Sequence, residues 1–236
     1  MSDAESRLVI PAPEQVTIPV VGGGAFPVRR VYCIGRNYAA HAREMGADPT
    51  RETPFFFMKP ADAVFVCAGP GATDVPYPPG TESYHHEIEL VVALKSGGRD
   101  IPAETALTHV FGYAVGLDMT RRDRQGEMKA KSWPWEIGKA ADASAPVSPI
   151  RSADKVAHPG QGRIAVTVDD APRQDADLSD MIWSVPEQIA ILSRYYELKP
   201  GDIIFSGTPE GVGEARIGQT LRGEIDGVGR IEAKLV

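Results

Sequence analysis

The segment HHEIELVVAL at 85–94 sets Glu87 and Glu89 two residues apart in a run of strand-forming residues. Successive strand side chains point to opposite faces, so the two carboxylates share one face, about 7 Å apart along the chain. Val91 and Ala93 continue that face as apolar residues, while Ile88, Leu90 and Val92 make the opposite face apolar. The glutamates therefore open a buried face, where a carboxylate needs an ionic partner or a metal. The same spacing would also suit the charged solvent side of an edge strand. A third carboxylate, Asp118, ends a second apolar run in GYAVGLDMTRRD at 112–123, where a turn or cap residue is the plainer alternative. Three carboxylates make an oxygen-rich set of the kind Mg2+ or Mn2+ prefers, with water or substrate oxygens completing it.

His41 and Glu44 stand at i and i+3 of a short helical stretch, where the carboxylate can orient the imidazole as a general base toward water. An ordinary ion pair on a solvated helix face has the same spacing. His85 and His86 read as packing or supporting groups beside the carboxylate strand, with direct metal ligation as the lesser alternative. Lys139 lies in WPWEIGKAAD and Lys59 in FFFMKPAD. A lysine in such apolar company is either a surface stem with a wet head or a buried cation that faces an anion. The carboxylates favour an electrostatic role for Lys139 over a Schiff-base nucleophile. In GDIIFSGTPEGVG at 201–213, a strand runs into a glycine-rich turn whose N–H groups and Thr208 hydroxyl could hold a carboxylate; a plain turn is the alternative.

The elements that must position these groups are mostly short strands. Strand signals cover 31–34, 63–66, 88–94, 110–117, 164–168, 203–205, 221–225 and 230–236, with turn residues between them. Asp169-Asp170 and Asp226-Gly227 read as hairpin turns. A helix is predicted over 38–45, with Asn37 as its cap and Gly46 at its end. A second is predicted over 186–196, where Ser184 and Glu187 form a capping-box pattern and Ile189, Leu192 and Tyr196 share a face. Residues 178–183 suit a further helical turn. Residues 1–27, rich in proline and with the Gly22–Gly24 run, read as an extended lead-in to a single catalytic domain over 28–236. With 24 glycines and 20 prolines among the short strands, the fold class is α+β, a barrel or roll and not a doubly wound sheet.

The 236 residues suffice for one sizeable core. Lys+Arg 25 against Asp+Glu 32, a net charge of -7, lacks the basic stripe of a nucleic-acid binder. No apolar run is long enough for a membrane span, and the first residues lack signal-peptide character, so a cytoplasmic location is expected. Cys33 and Cys67 read as free thiols.

Taken together, GRNYAAHAREM (35–45), FFFMKP (55–60), HHEIEL (85–90), GYAVGLDMTRRD (112–123), PWEIGKAAD (134–142) and GDIIFSGTPEGVG (201–213) resemble the fumarylacetoacetate hydrolase superfamily. Within it, the chain looks most like the bacterial fumarylpyruvate hydrolases of gentisate degradation, relatives of the acylpyruvases. The resemblance implies a mixed β-roll with few short helices, a homodimer, and a Mg2+ or Mn2+ ion. It matches Glu87, Glu89 and Asp118 to metal ligands, His41 and Glu44 to a water-activating dyad, and Lys139 to a cation beside the metal. Arg36, Arg122, Gln125 and Thr208 match positions that contact the substrate's oxo-acid end, and Lys59 is a further candidate there. The activity implied is hydrolysis of a 2,4-dioxo acid, fumarylpyruvate to fumarate and pyruvate. For the far carboxylate of that substrate, Arg121, Arg124 and Lys131 are the expected partners. The same machinery would also serve a broad acylpyruvase, an oxaloacetate decarboxylase, or a 2-oxo-alkenoate isomerase or hydratase. A non-catalytic ligand-binding relative is the alternative from another class.

Overall fold

A computed structural model describes residues 8–44 and 54–236. Its centre is an eight-stranded mixed sheet built around Ile88–Leu94, a strand buried along its whole length. Val110–Leu117 pairs antiparallel on one side of it, and Asp202–Phe205 on the other. Asp202–Phe205 then runs parallel to Arg30–Gly35, which pairs with Phe55–Lys59. The alternation read from the sequence holds on both faces. Ile88, Leu90 and Val92 enter the larger apolar core, whereas Val91 and Ala93 enter a second core with Phe205 and Cys33. Burying each of Ile88, Leu90 and Val92 contributes about 1.5–3 kcal/mol.

The larger core is closed by a five-stranded sheet and by the helix Val185–Tyr195. That helix starts as expected: the Glu187 carboxylate accepts from the Ser184 N–H at 2.9 Å and from its hydroxyl at 2.7 Å. Ile189 and Leu192 face the core, and Tyr196 packs on Tyr32 with ring centroids 5.1 Å apart. Asp169 and Asp170 join Arg163–Val168 to Ala171–Asp177 with φ of 48° and 67°, the left-handed pair a tight hairpin turn requires. Gly227, at φ 72°, turns the chain between Thr220–Ile225 and Gly229–Leu235.

Three expectations change. Asn37 does not cap the helix, which covers Ala39–Glu44; its side chain donates to the Trp183 and Ser206 carbonyls and accepts from the Trp183 N–H. A cap needs that oxygen locally, and here it is committed across the fold. The predicted end of this helix, Met45 and Gly46, lies outside the described residues. Residues 178–183 form only a short turn, Leu178–Asp180. The polar run Ala171–Asp177 is a strand, paired by its backbone although its outward side chains lack the usual strand composition. In the lead-in, Thr17–Pro19 pairs with Ala25–Pro27 and buries Ile18 and Phe26 in the second core.

Cys33 and Cys67 are free and buried, and burial pushes the Cys67 thiol up to about 11. Among the described residues, no helix is long and apolar enough to cross a membrane.

Candidate active site

Strand register assembles the carboxylates. Ile88 pairs with Leu117, and the Asp118 N–H donates to the Glu87 carbonyl at 2.8 Å, so Asp118 stands across from Glu87. Glu87 itself falls in the break between Tyr84–His86 and Ile88–Leu94, where the chain passes from a three-stranded sheet to the central one. Glu87, Glu89 and Asp118 are all buried and bring one oxygen each within 4.8 Å of the others.

Lysines lie against this group. Lys139 Nζ is 2.9 Å from Glu87 Oε2 and 2.6 Å from Asp118 Oδ2. Arg122 donates to Glu87 Oε1 through one nitrogen and to Gln125 Oε1 at 2.6 Å through another. Glu89 receives the Gly207 N–H at 2.8 Å. Gly207 has φ 98°, and a Cβ there would stand 2.5 Å from the Asn37 Cβ, so only glycine brings this amide to the carboxylate.

The charges do not settle evenly. Burial would lift the Glu87 carboxyl, but Lys139 and Arg122 outweigh it and hold it below the ordinary carboxylate range. Glu89 is driven the other way: burial, then Asp118 and Glu87, push its carboxyl well above that range. An all-oxygen set with one carboxylate destabilised by its two neighbours fits a hard divalent cation, which supplies the missing positive charge. Glu87, Glu89 and Asp118 are the residues that would hold it.

Lys59 is elsewhere than expected. It does not line the cleft; its Nζ lies 2.9 Å from Asp118 Oδ1 and 3.0 Å from both the Met119 carbonyl and Ser144 Oγ, and it donates to the Lys139 carbonyl. Four oxygens surround three N–H donors, so no donor remains for a ligand. Lys59 sits behind the carboxylates and ties Asp118 to the backbone of Lys139.

A narrow cleft opens over the carboxylates, lined by His41, Arg36, Arg122, Gln125, Thr208 and Lys139 among others. His41 Nδ1 meets Glu44 Oε2 at 3.1 Å, which leaves Nε2 as the basic nitrogen when Nδ1 carries the proton. Glu44 in turn accepts from the Gly211 N–H at 3.2 Å, joining the short helix to the glycine-rich turn. Gly211 has φ 87°, and a Cβ would meet the Arg173 carbonyl oxygen at 2.1 Å. Thr208 lines the cleft with its hydroxyl already engaged, donating to the Ile88 carbonyl and accepting from Gln174 Nε2, both at 2.8 Å.

Sequence reasoning missed three contributors. Gln174, buried in the unanticipated strand, accepts from the Ile88 N–H at 3.1 Å, meets His86 Nδ1 at 3.0 Å, and donates to Thr208 and Pro209; no local pattern marks it. Phe55 and Phe57 form an aromatic wall with Trp135, at centroid distances of 5.2 and 6.2 Å. Lys129 lines the cleft, and its signal was available: Arg122, Gln125 and Lys129 stand at i, i+3 and i+7 of the helix Arg122–Ala130. By contrast Arg121 donates to the Ile137 carbonyl, Arg124 to the Gly80 carbonyl, and Lys131 pairs with Glu127 while lying over Trp133; none of the three lines the cleft. His85 bonds Ser83 Oγ at 3.0 Å, and burial, with the Arg122 charge, lowers its imidazole to about 4.

Curled mixed sheets with few helices match the β-roll of the fumarylacetoacetate hydrolase C-terminal domain, and here they carry a buried Glu87–Glu89–Asp118 group that could hold a metal ion. The profile described as Fumarylacetoacetate (FAA) hydrolase C-terminal matches residues 30–236, and the chain belongs to this family. The crystal structure of fumarylpyruvate hydrolase from Pseudomonas aeruginosa, in complex with Mn2+ and pyruvate, is 52% identical, with a TM-score of 0.95 over 98% of this chain and 99% of that one. A mitochondrial oxaloacetate tautomerase of Oryza sativa subsp. japonica is 39% identical over 86% of this chain and 89% of its own length. The mitochondrial oxaloacetate decarboxylase of Dictyostelium discoideum is 38% identical over 85% of this chain and 88% of its own.

Proposed function

We propose that this protein is a divalent-metal-dependent C–C hydrolase that cleaves fumarylpyruvate to fumarate and pyruvate. The observation that carries the reading is the His41–Glu44 pair held at 3.1 Å in the same cleft as the carboxylate group, because hydrolysis needs an activated water as well as a cation. The fumarylpyruvate hydrolase of Pseudomonas aeruginosa, 52% identical along nearly the whole chain, supports it.

What a Mg2+ or Mn2+ ion held by Glu87, Glu89 and Asp118 adds when bound is Lewis-acid polarisation of the oxo-acid oxygens. Arg122 and Gln125 orient the C1 carboxylate end. His41 Nε2 takes a proton from water, and Glu44 stabilises the imidazolium that results. The hydroxide adds to the C4 carbonyl carbon. The C3–C4 bond then breaks, its electron pair passing to C3 to give the pyruvate enolate and the free fumaryl carboxylic acid. Lys139 offsets the negative charge that develops, and the imidazolium returns its proton to C3. The products are fumarate and pyruvate, with one water consumed.

The test is loss of the enol absorbance of fumarylpyruvate beside acetylpyruvate and maleylpyruvate, with pyruvate quantified, with and without chelator. Chelator-sensitive turnover selective for fumarylpyruvate is the expected result; equal turnover of all three makes a broad acylpyruvase. A second reading, tautomerisation or decarboxylation of oxaloacetate, is favoured by the relatives carrying those names. Decarboxylation needs the cation but no activated water, so His41→Ala would spare it while removing C–C hydrolysis; tautomerisation needs a base at C3 and would fall with His41. The fumarylpyruvate hydrolase reading includes a homodimer acting in the cytoplasmic breakdown of gentisate, and light scattering of the purified protein checks the dimer.

A further inference from the structure

We propose that Lys129, with Arg36 beside it, forms a subsite for a second carboxylate at the far end of the substrate, so that the cleft is built for 2-oxo dicarboxylates in preference to uncharged acyl groups. The inference rests on reading the carboxylate floor as the place where the oxo-acid end binds.

One face of the helix Arg122–Ala130 carries the argument. Arg122, Gln125 and Lys129 all line the cleft. Arg122, at one end of this stripe, is occupied by Glu87 and Gln125. Lys129 lies seven residues further on, about 10 Å along the helix axis from Arg122. Among the described residues it has no anionic partner. Neither has Arg36, matched by the resemblance to the oxo-acid end but placed here at the far one; its guanidinium lies 5.4 Å from the centre of the Phe55 ring. Burial, then the charges of Arg36 and Arg122, lower the Lys129 ammonium below the ordinary lysine range, which agrees with a cluster of cations awaiting an anion.

The space between the two ends has the complementary character. Phe55, Phe57 and Trp135 form an apolar wall along the same cleft, suited to the hydrocarbon part of an elongated acid. A ligand charged at both ends and apolar between them matches this sequence of surfaces. The other cations nearby are spoken for: Arg121, Arg124 and Lys131 have partners on their own surface and do not reach the cleft.

The experiment compares two ligands that lack a C4 carbonyl and cannot be cleaved, 2-oxoheptanedioate and 2-oxoheptanoate, which differ only in the terminal carboxylate. Calorimetric titration of Mg2+-loaded protein should give the diacid an affinity higher by roughly tenfold or more, as a charged hydrogen-bonded contact predicts. In Lys129→Met that preference should fall to about twofold or less, and in Lys129→Arg it should persist, because Arg restores the charge. Equal binding of the two ligands by the natural protein, or an undiminished preference in Lys129→Met, overturns the subsite. Should Lys129→Met lose both ligands, Arg36→Gln carries the same test with the same criteria. A diacid preference in a protein that turns over no acylpyruvate would leave the subsite standing and overturn the hydrolase reading instead.

Discussion

The floor of the cleft and its rim are built on different terms. Asp118 and Lys139 on the floor are 1% and 3% exposed in their side chains, and every charge there has an opposite charge or an N–H within reach. On the rim, Glu44 is 37% exposed, and Arg36 and Lys129 are only partly covered. The floor is held by the register of the central sheet, by Lys59 from behind and by Gln174 from the side. The rim depends on a six-residue helix, a single N–H from Gly211 and one face of a nine-residue helix. The difference teaches where energy is stored. On the floor, binding geometry and folding stability are the same interactions, whereas on the rim they separate.

The sharpest way to break this comparison is at His41. His41→Ala should lower hydrolytic turnover by about 10²- to 10⁴-fold, the range for loss of a positioned general base, while the thermal midpoint stays close to that of the natural protein. A large fall in stability in calorimetry would put His41 among the floor residues. Lys59→Met is the converse. It leaves Asp118 Oδ1 and two carbonyls without their donor while Lys139 still pairs Asp118 Oδ2, so denaturant unfolding should show a loss of about 1–3 kcal/mol, although Lys59 touches no ligand. Unchanged stability would mean that the floor is not locked from behind.

Glu89→Gln should split the two properties within the floor. Removing one of three crowded carboxylates relieves repulsion, so the metal-free protein should be at least as stable, yet Mn2+ affinity measured by calorimetry should fall by about 10- to 100-fold. Loss of stability without loss of Mn2+ affinity would overturn Glu89 as a ligand.

The smallest effect concerns pH. His85, which supports the strand leading into Glu87, has its imidazole lowered to about 4 from an ordinary 6.5. Between those values the unfolded chain binds a proton that the folded protein does not, so this contribution to stability declines as pH falls from about 6.5 toward 4. Urea midpoints measured across that window should fall less steeply in His85→Asn; an identical slope would show that His85 is not held neutral by the fold.

The carboxylates were legible because alternation is a local rule. Two residues apart on a strand means one face, and apolar neighbours on that face mean burial, which holds for Glu89 within the strand, while Glu87 sits in the break just before it. The capping box at Ser184 and the turn at Asp169-Asp170 were legible for the same reason. Asn37 misled because a cap and a long-range clamp use the same amide, and nothing within a few residues distinguishes them. Lys59 misled because a buried lysine in apolar company declares only that it needs an oxygen, and not whose.

By itself, then, the sequence determined which residues carry charge, which faces of the strands are apolar, and that three carboxylates, a histidine–glutamate pair and a lysine were available. Only the tertiary structure decided that Asp118 stands across from Glu87, that Lys59 braces the floor while Lys129 opens onto the cleft, and that the amides of Gly207 and Gly211 reach Glu89 and Glu44. The physical reason is range. Periodicity fixes the direction of a side chain relative to its own backbone, but the partner it meets depends on pairings between distant segments, above all the parallel pairing of Arg30–Gly35 with Asp202–Phe205, which sets the Arg36 and Gly207 turns side by side at one end of the sheet.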